Sequence, residues 1–72
     1  MYQVRVRVKE LSEAQEWSLH ELSRRSGVTY ATVLRYSKQL MPKVDMDAVC
    51  RLKDTFGCTW DELFEVHGDG KF

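Results

Sequence analysis

The sequence is poor in several features that define common classes of protein. It has two cysteines, one proline and four glycines in 72 residues, and its eleven basic side chains are balanced by eleven acidic ones. Two cysteines are too few for the disulfide framework of a small secreted domain, so we expect a reducing, cytoplasmic location. No apolar run approaches the roughly 18 residues of a membrane span, and no signal-peptide pattern opens the chain. The sequence therefore predicts neither a disulfide scaffold nor a membrane protein.

The length sets a second limit. A chain of 72 residues forms one small domain and buries about 60% of the surface that its unfolded form exposes. Few residues remain for a deep substrate cleft, and no serine, cysteine or acid lies near a histidine in a recognisable catalytic pattern. The cysteines and histidines also lack the spacing of zinc ligands. We therefore predict a single domain over residues 1–72 that is not an enzyme and has no metal, other cofactor or small-molecule ligand.

The absence of net charge hides an uneven distribution. Residues 1–38 hold seven basic and four acidic side chains, a net charge of +3, whereas residues 39–72 hold four basic and seven acidic ones, a net charge of −3. No acidic residue occurs between Leu22 and Val44. Such a one-sided pattern is typical of a small domain that binds nucleic acid through one face, although chance also explains it.

Local patterns predict short secondary-structure elements. The valines at positions 4, 6 and 8 alternate with basic residues and predict a strand, and a helical spacing then starts at Val8 and runs through Glu16. Later helices are bounded by residues suited to helix ends. The predicted N-caps are Ser18 and Thr59, each in a capping box, together with Thr29 and Asp45, and the predicted C-terminal glycines are Gly27 and Gly57.

These elements predict an all-α fold, a compact bundle of five short helices that a short N-terminal β-strand can accompany. Residues 1–7 form the strand arm in this interpretation, and residues 67–72 form a frayed tail.

A helix-turn-helix pattern lies at the centre of the chain. Ser23 is small, Gly27 follows four residues later, and Val28, Val33 and Tyr36 come at spacings that fill the inside of a corner. Two helices that cross nearly at right angles need a small residue for their close approach and a glycine for the short turn. The pattern therefore predicts a recognition helix over about residues 30–38.

The stretch from Trp17 to Tyr36, WSLHELSRRSGVTYATVLRY, resembles the helix-turn-helix of the Cro/cI (lambda-repressor-like, XRE) family of DNA-binding domains. The stretch from Met46 to Phe64 is similar to the fourth and fifth helices of that family and ends in the same Asp-Glu-Leu-Phe pattern. The resemblance covers roughly residues 4–64. It implies sequence-specific binding of double-stranded DNA by a small bacterial or phage transcriptional regulator.

The resemblance also implies a role for individual side chains. The recognition helix enters the major groove with its N-terminal residues against the base edges, and Arg35 can donate to guanine O6 and N7. Tyr30 is wide for this position and can instead donate to a phosphate. The base-reading candidates are Thr29, Tyr30, Ala31, Thr32 and Arg35, and the phosphate-binding candidates are Ser18, His20, Arg24, Lys38 and Lys43.

Three features depart from the pattern of the family. Leu19 stands where a glutamine often binds phosphate, and Tyr36 replaces an aliphatic residue, so that its hydroxyl needs a partner if it is buried. Leu40 and Met41 occupy a loop where glycine and basic residues are common. Leu19, the Leu40–Met41 loop and the zero net charge support an alternative function on the same fold, namely a protein-interaction or antitoxin-like adaptor module with weak or no DNA binding.

The family resemblance further implies a homodimer on a palindromic operator. Two interfaces are open at this point. One uses Trp60, Phe64 and Val66 at the last helix, and the other pairs the valine-rich strands of residues 4–8 from two copies.

The tryptophans and the cysteines are better explained by packing than by a functional role. Trp17 and Trp60 can serve as stacking platforms for single-stranded nucleic acid, but their spacing from leucines predicts that they pack in the core. Cys50 and Cys58 are predicted to be buried, reduced thiols.

Overall fold

In the computed structural model, which describes residues 2–68, the chain forms five helices and one two-stranded antiparallel sheet. None of the helices within those residues is long and apolar enough to cross a membrane. In chain order the elements are β1 (Gln3–Val6), α1 (Val8–Ala14), α2 (Leu19–Ser26), α3 (Tyr30–Lys38), α4 (Met46–Phe56), α5 (Trp60–Leu63) and β2 (Phe64–His67).

The core lies where the inner faces of the helices meet the sheet. Leu22 of α2, Val33 of α3 and Leu52 of α4 are fully buried, and Val6 joins them from β1. Tyr36 is also fully buried, and its hydroxyl accepts a hydrogen bond of 3.0 Å from the backbone N–H of Asp45. The hydroxyl of Tyr36 therefore has a polar partner at the start of α4, as a buried polar group requires.

The predicted N-caps and C-terminal glycines of the central and C-terminal part are confirmed, but of the two predicted capping boxes only that of Thr59 and Glu62 is complete, because the carboxylate of Glu21 pairs with arginines instead. The side chains of Ser18, Thr29 and Asp45 each accept a hydrogen bond from a backbone N–H in the first turn of the following helix. Gly27 and Gly57 take the left-handed conformation, with φ of 77° and 66°. These short-range contacts are why the bounds of α2, α3 and α4 can be predicted closely from the sequence.

The first helix ends earlier than predicted, at Ala14 instead of Glu16. Glu16 itself has a φ of +61°, its N–H donates to the carbonyl of Glu13, and the N–H of Trp17 donates to the carbonyl of Ser12. This pair of hydrogen bonds is the Schellman arrangement, which normally places glycine where Glu16 stands. Because no glycine stands at this position, the sequence does not indicate where the helix ends.

The end of the chain differs from the prediction of a helix followed by a frayed tail. Phe64–His67 forms β2, which pairs antiparallel with β1 so that Val4 faces Val66 and Val6 faces Phe64. His67 therefore belongs to the sheet instead of the frayed tail, and residues 69–72 lie outside the described residues. The sheet forms because β1 supplies a non-local hydrogen-bonding partner that no local pattern reveals.

The predicted strand exists, but the prediction that it offers an exposed edge is wrong. The N–H of Val4 donates to the carbonyl of Met41 at 2.8 Å, and the N–H of Met41 donates back to Val4 at the same distance. β1 thus lies between β2 on one side and Met41 on the other. Pairing of two copies through β1 has no open edge to use.

Two predictions of burial are also wrong. Trp60 is 40% exposed and stacks on Phe64 with ring centroids 5.7 Å apart, and Cys50 is exposed on α4. Both side chains lie on outer helix faces that the core does not cover. Trp17, by contrast, packs against the core beside Phe56, with ring centroids 6.0 Å apart.

Candidate nucleic-acid interface

The outer face of α3 carries four of the side chains proposed to contact DNA. Val33 and Tyr36 are buried and so fix the rotation of the helix about its axis. Ala31, Arg35 and Lys38 consequently lie on the exposed side, at spacings of four and three residues that place them on one surface, and Tyr30 is exposed at the first position of the helix.

The turn that presents α3 is held by two serines of α2. The hydroxyl of Ser23 donates to the carbonyl of Val28 at 2.6 Å, and the N–H of Val28 donates to the hydroxyl of Ser26 at 3.2 Å. Gly27, between Ser26 and Val28, adopts the left-handed conformation, in which any other residue costs backbone strain. These contacts hold the crossing of α2 and α3, so the outer face of α3 is presented by a well-defined corner.

Two of the base-reading candidates also serve the fold. The Oγ1 atom of Thr29 accepts a hydrogen bond from the N–H of Thr32 at 3.4 Å and donates to the Oγ1 atom of Thr32 at 3.0 Å. The hydroxyl of Thr29 is therefore committed to capping α3. Thr32 is half-buried and keeps its own hydroxyl proton for a further acceptor.

His20 and Tyr30 form one aromatic unit at the start of the two helices. Their rings are 3.9 Å apart between centroids and only 13° from parallel. Both side chains are exposed. The sequence singled out each residue separately, whereas their contact depends on how α2 crosses α3. The stack limits the freedom of Tyr30 at the point where α3 begins.

The two arginines of α2 are engaged with an acidic residue of the same helix. Arg24 and Arg25 both form ion pairs with Glu21, and the guanidinium of Arg25 also lies 4.6 Å from the ring centroid of Trp17. The pKa of the Glu21 carboxyl lies below its ordinary value, mainly because Arg24 donates a hydrogen bond to it and to a lesser extent because both arginines are positively charged. Because Glu21 already binds the guanidinium of the exposed Arg24, Arg24 binds a phosphate only if that phosphate replaces Glu21.

The basic residues of α3 and of the following loop are not paired in this way. Within residues 2–68, Arg35, Lys38 and Lys43 form no ion pair, and all three are exposed. The guanidinium of Arg35 lies 5.6 Å from the ring centroid of Tyr36, a contact that leaves its donors available. Their full charge is therefore free to meet an external anion.

A groove of about 360 Å³ brings two phosphate candidates together with a residue that the sequence did not single out. Ser18 at the start of α2 and Lys38 at the end of α3 line it, and Lys9 of α1 lies on the same rim. Lys9 gave no signal in the sequence, because the valine pattern placed it at the uncertain border between strand and helix. Glu13 of α1 also lines this groove, so its charged side chains are two lysines and one glutamate and their net charge is positive.

The opposite rim of α3 is acidic. Asp45 and Asp47, at the start of α4, line a second groove of about 260 Å³ together with Thr29 and Thr32. Arg51 neutralises part of this charge through an ion pair of 2.8 Å with Asp47. A polyanion is therefore favoured on the side of α1 and α2 and disfavoured on the side of α4.

No metal chemistry is suggested by the part of the chain that is described. Residues 2–68 contain no group of three or more His, Cys, Asp or Glu side chains placed to hold a metal ion.

Comparison with known proteins agrees with this geometry. The family model of the Cro/C1-type HTH DNA-binding domain matches residues 7–69, which include all five helices and β2. Searches of curated proteins and of solved structures each returned no significant match.

Proposed function

The chain belongs to the Cro/C1-type helix-turn-helix family of DNA-binding domains, and we propose that it acts as a sequence-specific transcriptional regulator. In this proposal a homodimer binds a palindromic operator, and α3 (Tyr30–Lys38) of each copy enters the major groove. The family is defined by DNA binding and not by catalysis.

The observation that carries the proposal is the exposed face of α3, whose cations form no ion pair with any side chain of residues 2–68. Arg35 lies in the middle of that face, where a planar guanidinium can donate to the O6 and N7 atoms of one guanine. Ala31 lies one turn before it and offers a methyl group for contact with a thymine methyl. Together they supply a polar and an apolar means of distinguishing base pairs.

The surrounding groups are suited to hold the phosphate backbone. Ser18 and the first backbone N–H groups of α2, with Lys38 and Lys9 on the same rim, present donors and positive charge to one strand. His20 extends this surface next to Tyr30, and Lys43 extends it along the loop after α3. Contacts of this kind position the domain without reading the sequence.

The proposal is tested by selecting binding sites from random duplex DNA with the purified chain. We expect enrichment of a palindrome whose half-sites are about one helical turn apart. We then measure binding to the selected duplex by fluorescence anisotropy at several salt concentrations. The affinity should fall steeply as salt is added, because contacts to phosphates release counterions from the DNA. Failure to enrich any sequence, together with a salt slope near zero, would overturn the proposal.

A matched pair of variants separates base reading from charge. Arg35→Ala should reduce the preference at one base pair, whereas Lys38→Ala should weaken binding to all duplexes alike. Lys53→Ala removes a cation that lies over the ring of Trp60, away from α3, and should leave binding unchanged.

The second candidate function is a protein-interaction or antitoxin-like adaptor module. It is favoured by Leu40, a large apolar side chain that is 42% exposed in the loop after α3, where the family commonly has glycine or basic residues. Such a module predicts no salt-dependent DNA binding. The anisotropy titration therefore decides between the two functions.

A further inference from the structure

The groove that Lys9 and Lys38 share also has an apolar wall. Trp17 and Leu19 line it together with the two lysines. Both side chains are half-buried and pack against the core, so the fold holds this wall in place. The groove has a volume of about 360 Å³, which lies within the range of pockets that hold small organic molecules. A DNA backbone passing over it would leave the apolar wall unused, because sugars and phosphates are polar.

The charged side chains of the groove sum to one positive charge. Lys9 and Lys38 form no ion pair with any side chain of residues 2–68, and Glu13 is the one acidic side chain among the described residues that line the groove. A single negative charge balances this sum, whereas a doubly charged phosphate exceeds it. The electrostatics of the groove therefore favour a carboxylate.

Two serine hydroxyls of the groove have unused hydrogen-bonding capacity. Ser12 is 1% exposed, and its Oγ atom has no hydrogen-bonding partner within residues 2–68. Since a buried hydroxyl without a partner is unfavourable, a ligand oxygen that accepts its proton removes this cost. The atom is covered, so the contact requires Ser12 to change its side-chain rotamer. The Oγ atom of Ser18 accepts a hydrogen bond of 3.1 Å from the N–H of Glu21 and keeps its own proton for a ligand.

We propose that this groove binds a small organic carboxylate with an apolar body, and that the bound ligand excludes DNA from the same surface. The lysines attract the carboxylate, and the apolar body lies against Trp17 and Leu19. Ser18 and Lys38 are also phosphate candidates, so the ligand and the DNA backbone compete for them. Only this competition rests on the proposed function. The sequence alone predicted no small-molecule ligand, because the groove forms where three helices meet.

The first test uses the whole chain without DNA and phenylpropionate as the probe. An amide NMR titration should show saturable shifts centred on the residues that line the groove. Phenylpropionamide, the neutral analogue, should bind about tenfold more weakly, because it cannot form charge-assisted hydrogen bonds with the lysines. Inorganic phosphate should also bind about tenfold more weakly, because it has no apolar body to bury.

Several results of this titration would overturn the inference. These are the absence of saturable binding of phenylpropionate, shifts centred outside the groove, and an affinity for the amide or for inorganic phosphate equal to that for phenylpropionate. Equal affinity for phosphate would show that the groove is a simple phosphate site.

Matched variants test the residues that carry the proposal. Lys9→Gln, an exposed substitution, should weaken phenylpropionate by about fivefold and leave the amide unaffected, because only the carboxylate is attracted by the charge. Lys53→Gln removes a lysine that lies over the ring of Trp60, outside the groove, and should change neither affinity. Ser12→Ala removes a hydroxyl without a partner and should weaken phenylpropionate without lowering Tm. Wild-type affinity in both Lys9→Gln and Ser12→Ala would overturn the inference.

The second test measures the competition and keeps the two proposals separable. At constant ionic strength, with sodium chloride as the control, phenylpropionate should release the chain from its selected duplex and phenylpropionamide should not. Binding of phenylpropionate without any loss of DNA affinity would overturn the exclusion of DNA. A chain that binds phenylpropionate in the groove but enriches no DNA sequence would support the carboxylate site and contradict the regulator. A chain that binds its operator and no carboxylate would do the reverse.

Discussion

Helices α2 and α3 each carry two cations towards their C-terminal ends, yet the two pairs differ in what they can bind. Arg24 and Arg25 are both occupied by Glu21, whereas Arg35 and Lys38 form no ion pair within residues 2–68. Exposed ion pairs are weak, so the arginines of α2 can be released, but only by an anion that replaces Glu21. The comparison shows that the count of positive charges in a segment does not measure the charge available to DNA.

The two helices also differ in how their inner faces are held. The turn between them is pinned by Ser23 and Ser26, which bond the backbone of Val28. The far side of α3 is held instead by Tyr36, whose hydroxyl bonds the start of α4. The position of α3 in the domain therefore depends on contacts at both of its sides.

The largest expected effect comes from removing one arginine from each helix. Arg35→Ala should lose about 1–3 kcal/mol of discrimination at a single base pair, roughly a 5- to 150-fold loss of preference. Arg24→Ala, the matched control, should weaken all duplexes alike and by less, since Glu21 already competes for its guanidinium. Competition anisotropy with the selected operator and its single-base variants measures both. A uniform loss for Arg35→Ala would show that α3 does not read bases through this residue.

The next effect concerns the support of α3 by α4. Tyr36→Phe removes the hydroxyl that accepts from the N–H of Asp45 and should lower the free energy of unfolding by about 1 kcal/mol. For a domain of this size that loss corresponds to a fall in Tm of roughly 4–8 °C. Tyr30→Phe, on the exposed side of the same helix, should leave Tm unchanged. Thermal unfolding followed by circular dichroism compares the two variants, and equal Tm values for Tyr36→Phe and the wild type would contradict the assignment.

The parts of the fold that the sequence predicts well are those set by short-range contacts. Thr29 and Asp45 cap the helices that follow them, and Gly27 ends α2 in the left-handed conformation. These residues act within one turn of their own position, so their effect can be inferred without knowledge of the tertiary structure. The rotation of α3 follows in the same way from the spacing of Val33 and Tyr36.

The parts that the sequence does not predict depend on distant partners or on an unusual residue. β2 forms because Val66 meets Val4, more than sixty residues away along the chain. The end of α1 is concealed because Glu16 occupies a left-handed position that usually holds glycine. The stack of His20 on Tyr30 requires the crossing of α2 and α3, which no local pattern specifies.

A smaller effect is expected from releasing the cations of α2. Glu21→Gln removes the carboxylate that holds Arg24 and Arg25 and should strengthen binding to all duplexes alike. Each arginine that gains a phosphate adds about 0.9 to the slope of log affinity against log salt, so the slope should steepen by at most about 2. Asp54→Asn removes one exposed negative charge from α4, where it forms no ion pair with residues 2–68, and serves as the control. Equal salt slopes for the two variants would show that Glu21 does not restrain the arginines.

The smallest effect is the dependence of this restraint on pH. Because Arg24 lowers the pKa of Glu21 below its ordinary value of 4.5, the carboxylate stays charged in the folded chain at pH values where it is partly protonated in the unfolded chain. The stabilisation is therefore fully present above about 4.5 and is lost as the pH falls through the lower, folded value. Urea unfolding of the wild type and of Glu21→Gln should show a small difference at neutral pH that disappears in acid. A difference that vanishes already between pH values of about 7 and 5 would contradict the ion pair as its origin, because Glu21 remains ionised in both states over that range.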